Sequence, residues 1–154
     1  MIINGLQIAE EVLVGLKKEI SSRDLKLRLA AVLIGDDPEF KKFVQLKGKA
    51  AEKIGVEFKI FQFDENISES VMIYHNAKLS KDFDGVLVEL PLPKHLDQQK
   101  ILDAIPVEKD VDVLSSAAQE LFYQTSEVGP RSEVQPQRLV LPPAVEALKI
   151  LFEK

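Results

Sequence analysis

The sequence of 154 residues contains no cysteine and only two histidines, His75 and His95. Without cysteine, the chain can form no disulfide, thiolate nucleophile or cysteine-ligated zinc site. Two histidines are too few for a histidine-rich metal centre, so we expect no metal site. The lack of cysteine also fits a reducing compartment, and we expect a cytoplasmic protein.

Long apolar runs are also missing, since no stretch approaches the roughly 20 residues needed to span a bilayer. The first residues, MIINGLQIAEEV, have neither a basic region nor a small-residue cleavage site, so we expect no signal peptide. The formal net charge is −5, which disfavours nucleic acid or an anionic membrane as a partner. A chain with 45% hydrophobic residues is instead typical of one globular domain with its own core.

Apolar runs of strand length alternate with segments of helical periodicity. This alternation predicts an α/β fold, a three-layer αβα sandwich with a mostly parallel sheet. After Asp112 the signals weaken, and the polar residues 123–137 predict a mobile loop before a terminal helix at about 143–153. The predicted strands are 28–35, 56–63 and 84–90, and the predicted helices begin at about residues 5, 38, 68 and 97.

Ligands of open parallel sheets bind beyond the carboxyl ends of the strands. Three loops therefore become candidates: those after Gly35 and Phe63 and the one that begins at Glu89. The sequence has no GxGxxG or P-loop pattern, so we expect no nucleotide cofactor site in this chain.

One lysine interrupts an apolar stripe of the helix that begins at residue 38. It is either a lysine whose stem lies on the core while its head reaches water, or one that points into a cleft and acts in catalysis. The stripe consists of Phe40, Val44, Lys47, Ala51 and Ile54.

The stretch GVLVELPLP, residues 85–93, places a carboxylate near the end of a buried strand. Glu89 is either a solvated terminal residue or a group that faces Lys47 across a ligand crevice. Pro91 and Pro93 end the pairing of the strand, since neither can donate a ladder hydrogen bond.

The stretch KDVD, residues 109–112, contains two acids. It is either a polar loop or, if extended, a segment with Asp110 and Asp112 on one side. A carboxylate there could accept two parallel hydrogen bonds from an amino-pyrimidine edge.

Four motifs occur together in one known family. They are INGLQIA, VLIGDDPEFKKFVQLKGKAAEKIGV, DGVLVELPLPKHL and IPVEKDVD, and they cover about residues 3–112. Here the chain resembles the N-terminal, folate-binding domain of bifunctional methylenetetrahydrofolate dehydrogenase/methenyltetrahydrofolate cyclohydrolase. The terminal helix resembles the helix that, in the family, leads into a second domain. That second domain is of the Rossmann type and binds NAD(P), and the present sequence does not contain it. NADP or NAD is therefore expected only with a second domain elsewhere or a separate NAD(P)-binding chain.

The resemblance implies roles for individual positions. Lys47 matches the family's catalytic lysine, and Glu89 stands beside it where the family has glutamine. Phe43 stands where the family has tyrosine, and Asp112 matches the pterin-binding aspartate. Substrate contacts are further implied for Leu90, Pro91 and Pro143.

Other positions depart from the family. Phe40 replaces a serine, and Val113 replaces the glycine after the Asp motif. Phe43 keeps a ring that can stack on a flat heterocycle but loses a hydroxyl that could orient a proton. A carboxylate at position 89 would favour the ammonium form of Lys47, so we expect slower lysine-dependent chemistry than in the family.

Two functions remain open at this stage. The chain is either an enzyme domain acting on a tetrahydrofolate derivative or a degenerate, non-catalytic module that binds folate or a partner protein. Hydrolysis of 5,10-methenyl- to 10-formyl-tetrahydrofolate is the family reaction that needs no nucleotide domain.

Overall fold

The computed structural model describes residues 4–126 and, beyond them, Pro143, Ala147 and Ile150. Three strands alternate with helices along this part of the chain. In order they are α1 (Gly5–Ser22), β1 (Arg28–Ile34), α2 (Pro38–Lys53), β2 (Glu57–Phe63), α3 (Glu69–Asp82), β3 (Gly85–Val88), α4 (Gln98–Leu102), a 3-10 turn (Val107–Lys109) and α5 (Ser116–Ser126).

The strands form one parallel sheet in the order β2-β1-β3. Strands β1 and β2 pair over their whole length, from Arg28 opposite Glu57 to Ile34 opposite Phe63. The backbone N–H of Glu89 donates to the carbonyl of Val32 at 2.9 Å, which fixes the chain just after β3 beside β1. The predicted α/β class with a parallel sheet is confirmed.

The chain divides into two compact units. The first contains the residues up to Ile67 and the segment Val88–Pro93, and the second contains Ser68–Leu87 and the residues from 94 onward. In the first unit, the buried apolar residues are Ala30, Ala31, Val32, Leu33, Ile34, Val44, Ala51 and Val88. In the second, they include Met72, Leu79, Phe83, Val86, Leu87, Ile101, Leu102, Ile105 and Val113.

Local sequence signals explain where α2 begins and ends. The Asp37 carboxylate accepts hydrogen bonds from the backbone N–H groups of Glu39 (2.7 Å) and Phe40 (3.3 Å), and Pro38 occupies the first turn. After α2, Gly55 has a φ of 86°, a left-handed conformation that glycine adopts without strain. The predicted boundaries of this helix are therefore confirmed.

The structure differs from the sequence-based expectation after Asp112. Helix α5 covers Ser116–Ser126, so residues 123–126, which we predicted to begin a loop, are helical. Ser115 explains the helix start, since its hydroxyl accepts from the N–H of Ala118 at 3.4 Å. Residues 127–137 of the predicted loop lie outside the described residues.

Only three residues of the predicted terminal helix are described. Pro143, Ala147 and Ile150 are each helical. Among all described residues, no helix is long and apolar enough to cross a membrane.

Candidate functional site

Lys47 and Glu89 form an ion pair within the first unit. The Lys47 Nζ lies 2.7 Å from Glu89 Oε1, and the side chains are 43% and 9% exposed. Glu89 Oε1 is buried and accepts no hydrogen bond of ordinary geometry among the described residues, so the contact is one of charge and distance rather than of aligned donor and acceptor. The prediction that Glu89 faces Lys47 is confirmed.

Helix α2 explains how the lysine reaches this position. Its buried side contains Val44, Gly48 and Ala51, which hold the helix against the core. An ideal Cβ built on Gly48 would lie 2.9 Å from Cδ1 of Phe58, so the helix packs closely against β2 at that point. Lys47 is beside this contact, with its ammonium group partly exposed rather than buried in the core.

Two phenylalanines of α2, Phe40 and Phe43, precede Lys47. Phe43, one turn before Lys47, is 60% exposed, so its ring is open to a flat ligand. Phe40 is half-buried and lines a cavity. The stacking role predicted for Phe43 stays a prediction.

The cavity has a volume of about 390 Å³ and lies wholly within the first unit. All three loops predicted from the carboxyl ends of the strands contribute to its walls. Leu90 is half-buried, Pro91 is exposed, and the peptide bond between them is cis. The lining residues are Ile34, Gly35, Asp36, Asp37, Phe40, Glu65, Pro91, Leu92 and Pro93.

Sequence reasoning missed a polar network at the edge of this cavity. The Asp36 carboxylate contacts the Lys41 ammonium and accepts from Gln62 Nε2 at 2.9 Å, while Gln62 also donates to the carbonyl of Gly35 at 2.8 Å. The hydrogen bond from Lys41, followed by that from Gln62, lowers the pKa of Asp36 below its usual value. Gln62 could have indicated this network from the sequence, because it is a polar residue between two aromatic residues, Phe61 and Phe63, at the end of β2.

The KDVD stretch belongs to the second unit and is extended only at Asp110, which forms an isolated parallel bridge with Val86, while Val111 and Asp112 are in a turn. Asp110 is 5% exposed, and its Oδ2 accepts from the backbone N–H groups of Leu114 (2.9 Å) and Ser115 (2.7 Å), which bends the chain into a turn. Asp112 is half-buried within that turn. Of the two alternatives for this stretch, the structure shows the polar loop, and the pterin-binding role of Asp112 stays a prediction.

Val113 has an unusual backbone. Its φ is 56°, in the left-handed region, although it is β-branched, and its side chain is 3% exposed. The family resemblance places glycine at this position, and glycine is the residue that this conformation favours. Val113 therefore occupies a conformation that suits glycine better than a β-branched residue.

Two further predictions concern contacts elsewhere. Pro143 is exposed, and its immediate neighbours lie outside the described residues, so its role in substrate binding stays a prediction.

Within the part of the chain that the structure describes, no group of three or more acidic or histidine side chains could hold a metal ion. The second unit has a cavity of about 330 Å³, and none of the predicted site residues lines it.

These features define an α/β domain with a lysine–carboxylate pair at the carboxyl end of a parallel sheet. Such a domain matches the family described as tetrahydrofolate dehydrogenase/cyclohydrolase, catalytic domain, whose profile covers residues 3–112. The chain belongs to this family.

Individual relatives agree. The chain is 41% identical over 124 residues to the bifunctional protein FolD of Mycoplasmopsis synoviae, covering 79% of this chain and 45% of that protein. It is 42% identical over 118 residues to the FolD protein of Staphylococcus epidermidis, covering 72% and 41%. The chain thus spans less than half the length of these curated relatives.

Solved structures give the same result for the fold. The crystal structure of bifunctional 5,10-methylenetetrahydrofolate dehydrogenase/cyclohydrolase from Thermoplasma acidophilum matches with a TM-score of 0.84 and 28% identity, over 99% of this chain and 52% of that one. The FolD enzyme of Campylobacter jejuni matches with a TM-score of 0.78 and 26% identity, over 97% and 50%. The predicted family membership is confirmed.

Proposed function

We propose that this chain binds a tetrahydrofolate derivative and hydrolyses 5,10-methenyl- to 10-formyl-tetrahydrofolate at a low rate. Family membership supports the substrate class. The observation that carries the proposal is the Lys47–Glu89 pair at 2.7 Å. Glu89 comes two residues before Pro91, which lines the cavity, and Lys47 comes one helical turn after the exposed Phe43.

The reaction needs a group that handles protons. Water adds to the methenyl carbon and loses one proton to solvent, which leaves a neutral hydroxyl adduct. That hydroxyl then loses its own proton as N5 takes up a proton and the carbon–N5 bond breaks, which leaves the formyl group on N10 and releases one proton overall. Lys47 would assist this transfer, and its partly exposed ammonium can reach a ligand over the helix surface. The Lys47 ammonium is already engaged by Glu89 at 2.7 Å and Phe43 has no hydroxyl that could orient a proton, so we expect the rate to be low.

Dehydrogenation would require NAD(P), and the turn from β1 to α2 does not fit the pyrophosphate of such a cofactor. At the turn from β1 to α2, the Asp37 carboxylate already occupies the N–H groups of Glu39 and Phe40, and Asp36 adds a second negative charge. Other folds bind a pyrophosphate at the N-terminus of a helix, and here the two carboxylates at the start of α2 would repel it. NADP or NAD would therefore have to be held by a second domain or a separate chain.

A non-catalytic folate-binding or protein-interaction module is the second candidate. The specific observation in its favour is that Phe43 and Val113 both replace residues with polar or conformational roles in the family, while the surrounding fold is kept. A module of this kind would bind folate with no turnover.

Decay of the methenyl-tetrahydrofolate absorbance tests the proposal directly. We expect the full chain to accelerate this decay and Lys47→Ala to lower the enzyme-dependent rate by about 100-fold, the size of a lost proton-transfer group. Lys49→Ala, which removes another exposed lysine of the same helix, should leave the rate unchanged.

Two results would contradict parts of the proposal. If wild type and Lys47→Ala both match buffer, the isolated chain is not a cyclohydrolase. A titration with tetrahydrofolate then decides what remains: saturable binding supports the non-catalytic module, and no saturable signal removes folate binding as well.

A further inference from the structure

We infer that Glu89 makes the site selective for a cationic folate, the 5,10-methenyl form, over the neutral one-carbon forms. This inference rests on the proposed function, since it concerns how that folate site distinguishes its ligands. The 5,10-methenyl bridge carries a positive charge shared by N5, the bridging carbon and N10. The methylene and formyl derivatives carry no such charge.

The carboxylate is placed to interact strongly with a cation. The Glu89 side chain is 91% buried, and a charge in a site with little water interacts more strongly than one in bulk solvent. Its Oε1 has no hydrogen bond of ordinary geometry among the described residues. That oxygen has almost no accessible surface while Lys47 Nζ lies 2.7 Å away, so another cation reaches it only if the lysine moves aside.

Lys47 can yield to a competing cation. Its side chain is 43% exposed and ends a flexible four-carbon stem, so the ammonium can turn toward water without breaking the fold. A bound methenyl cation would then share the carboxylate that the lysine holds in the free protein. The neutral glutamine found in the family offers no equivalent attraction.

Phe43 adds a second attraction of the same kind. It lies four residues before Lys47, one helical turn away, and its ring is 60% exposed. The face of an aromatic ring attracts a cation through its quadrupole, and this attraction also favours the methenyl form. Both groups thus distinguish folates by charge rather than by size.

Stabilising the bound cation has a kinetic consequence. The positive charge disappears as water adds, so an attraction to that charge is stronger in the ground state than in the transition state. Such binding lowers KM and kcat together. Selectivity for the cation then slows turnover in addition to the engagement of Lys47 by Glu89.

Dissociation constants for two folates test the inference with the full chain. The probes are 5,10-methenyl-tetrahydrofolate and the neutral 5-formyl-tetrahydrofolate, titrated in the same buffer. We expect the wild type to bind the cation about tenfold more tightly, the size of one contact to a charged group. In Glu89→Gln this ratio should fall to about one, while Glu57→Gln, an exposed carboxylate at the start of β2, should keep it.

Lys47→Met provides a second variant with the opposite expected result. Removing the competing ammonium should raise the preference for the cation above the wild-type value. The Glu89→Gln variant should also show a raised KM and a raised kcat if turnover is measurable.

The outcomes separate the inference from the proposed function. Equal dissociation constants in the wild type, or a preference that survives in Glu89→Gln, would overturn the inference while leaving folate binding in place. If neither folate binds, the proposed function fails, and the inference fails with it.

Discussion

The left-handed backbone of Val113 leads to a quantitative prediction about stability. A residue with a side chain loses roughly 1–2 kcal/mol in this conformation, and glycine does not. Val113 is also buried, so removing its side chain sacrifices apolar contact, about 0.8 kcal/mol for each carbon. The two effects can be separated by comparing the alanine and glycine variants, because the step from Ala to Gly removes the same methyl group at any buried position.

Val86 supplies the matched position, since it is fully buried in β3 of the same unit. There, the step from Ala to Gly should cost about 1.5 kcal/mol, from the lost methyl and the backbone freedom of glycine. At Val113, relief of the left-handed strain should offset this cost to within about 0.5 kcal/mol of zero.

Urea unfolding of the four variants measures both steps, provided that the m-value is unchanged. Equal costs of the Ala-to-Gly step at positions 86 and 113 would refute the reasoning. In that case Val113 would store no backbone strain.

Two other predictions concern the first unit. Gly48→Ala should destabilise the folded chain by about 1 kcal/mol, because its Cβ would lie 2.9 Å from the Phe58 ring. In Gly15→Ala the new Cβ meets nothing within 4 Å, so this variant should stabilise the folded chain by about 0.5–1 kcal/mol. Thermal unfolding measures both changes. The pKa of Asp36, lowered by Lys41 from its usual value of 3.8, should rise in Lys41→Met when followed by carbon NMR. Because the folded-state pKa is depressed, this carboxylate stabilises the fold above pH 3.8 and loses that effect as the pH falls through the depressed value. An unchanged pKa, or a Gly48→Ala variant as stable as Gly15→Ala, would contradict these arguments.

The spacing of apolar residues, together with the glycine, proline and capping residues at the ends of elements, was enough to predict the helices and strands up to β3. The apolar run that ends at Gly35 predicts β1 correctly. The Asp37–Pro38 pair predicts the start of α2 correctly, because helix capping depends only on residues that are close in sequence. The position of the candidate site followed from a general rule for parallel sheets. The rule requires only that the strands be recognised and their direction known.

The turn at Asp110 could not be predicted in the same way. Its shape depends on one carboxylate that accepts from Leu114 and Ser115, and on Val113 in a conformation that a β-branched residue seldom adopts. Propensity describes what a residue prefers, and here the hydrogen bonds of Asp110 override that preference. For the same reason α5 was missed, since it follows directly from this turn.

The departures from the family do not affect binding and turnover equally. Phe43 retains the aromatic ring that a flat heterocycle could contact but lacks the hydroxyl that could orient a proton. Glu89 retains nearly the shape of the glutamine in the family but adds a charge that holds Lys47 2.7 Å away. In the proposed folate site, both changes would keep a contact surface, while a group able to move a proton is removed or paired. A site altered in this way should lose kcat far more than affinity, so parallel measurements of binding and rate are more informative than a test of activity alone.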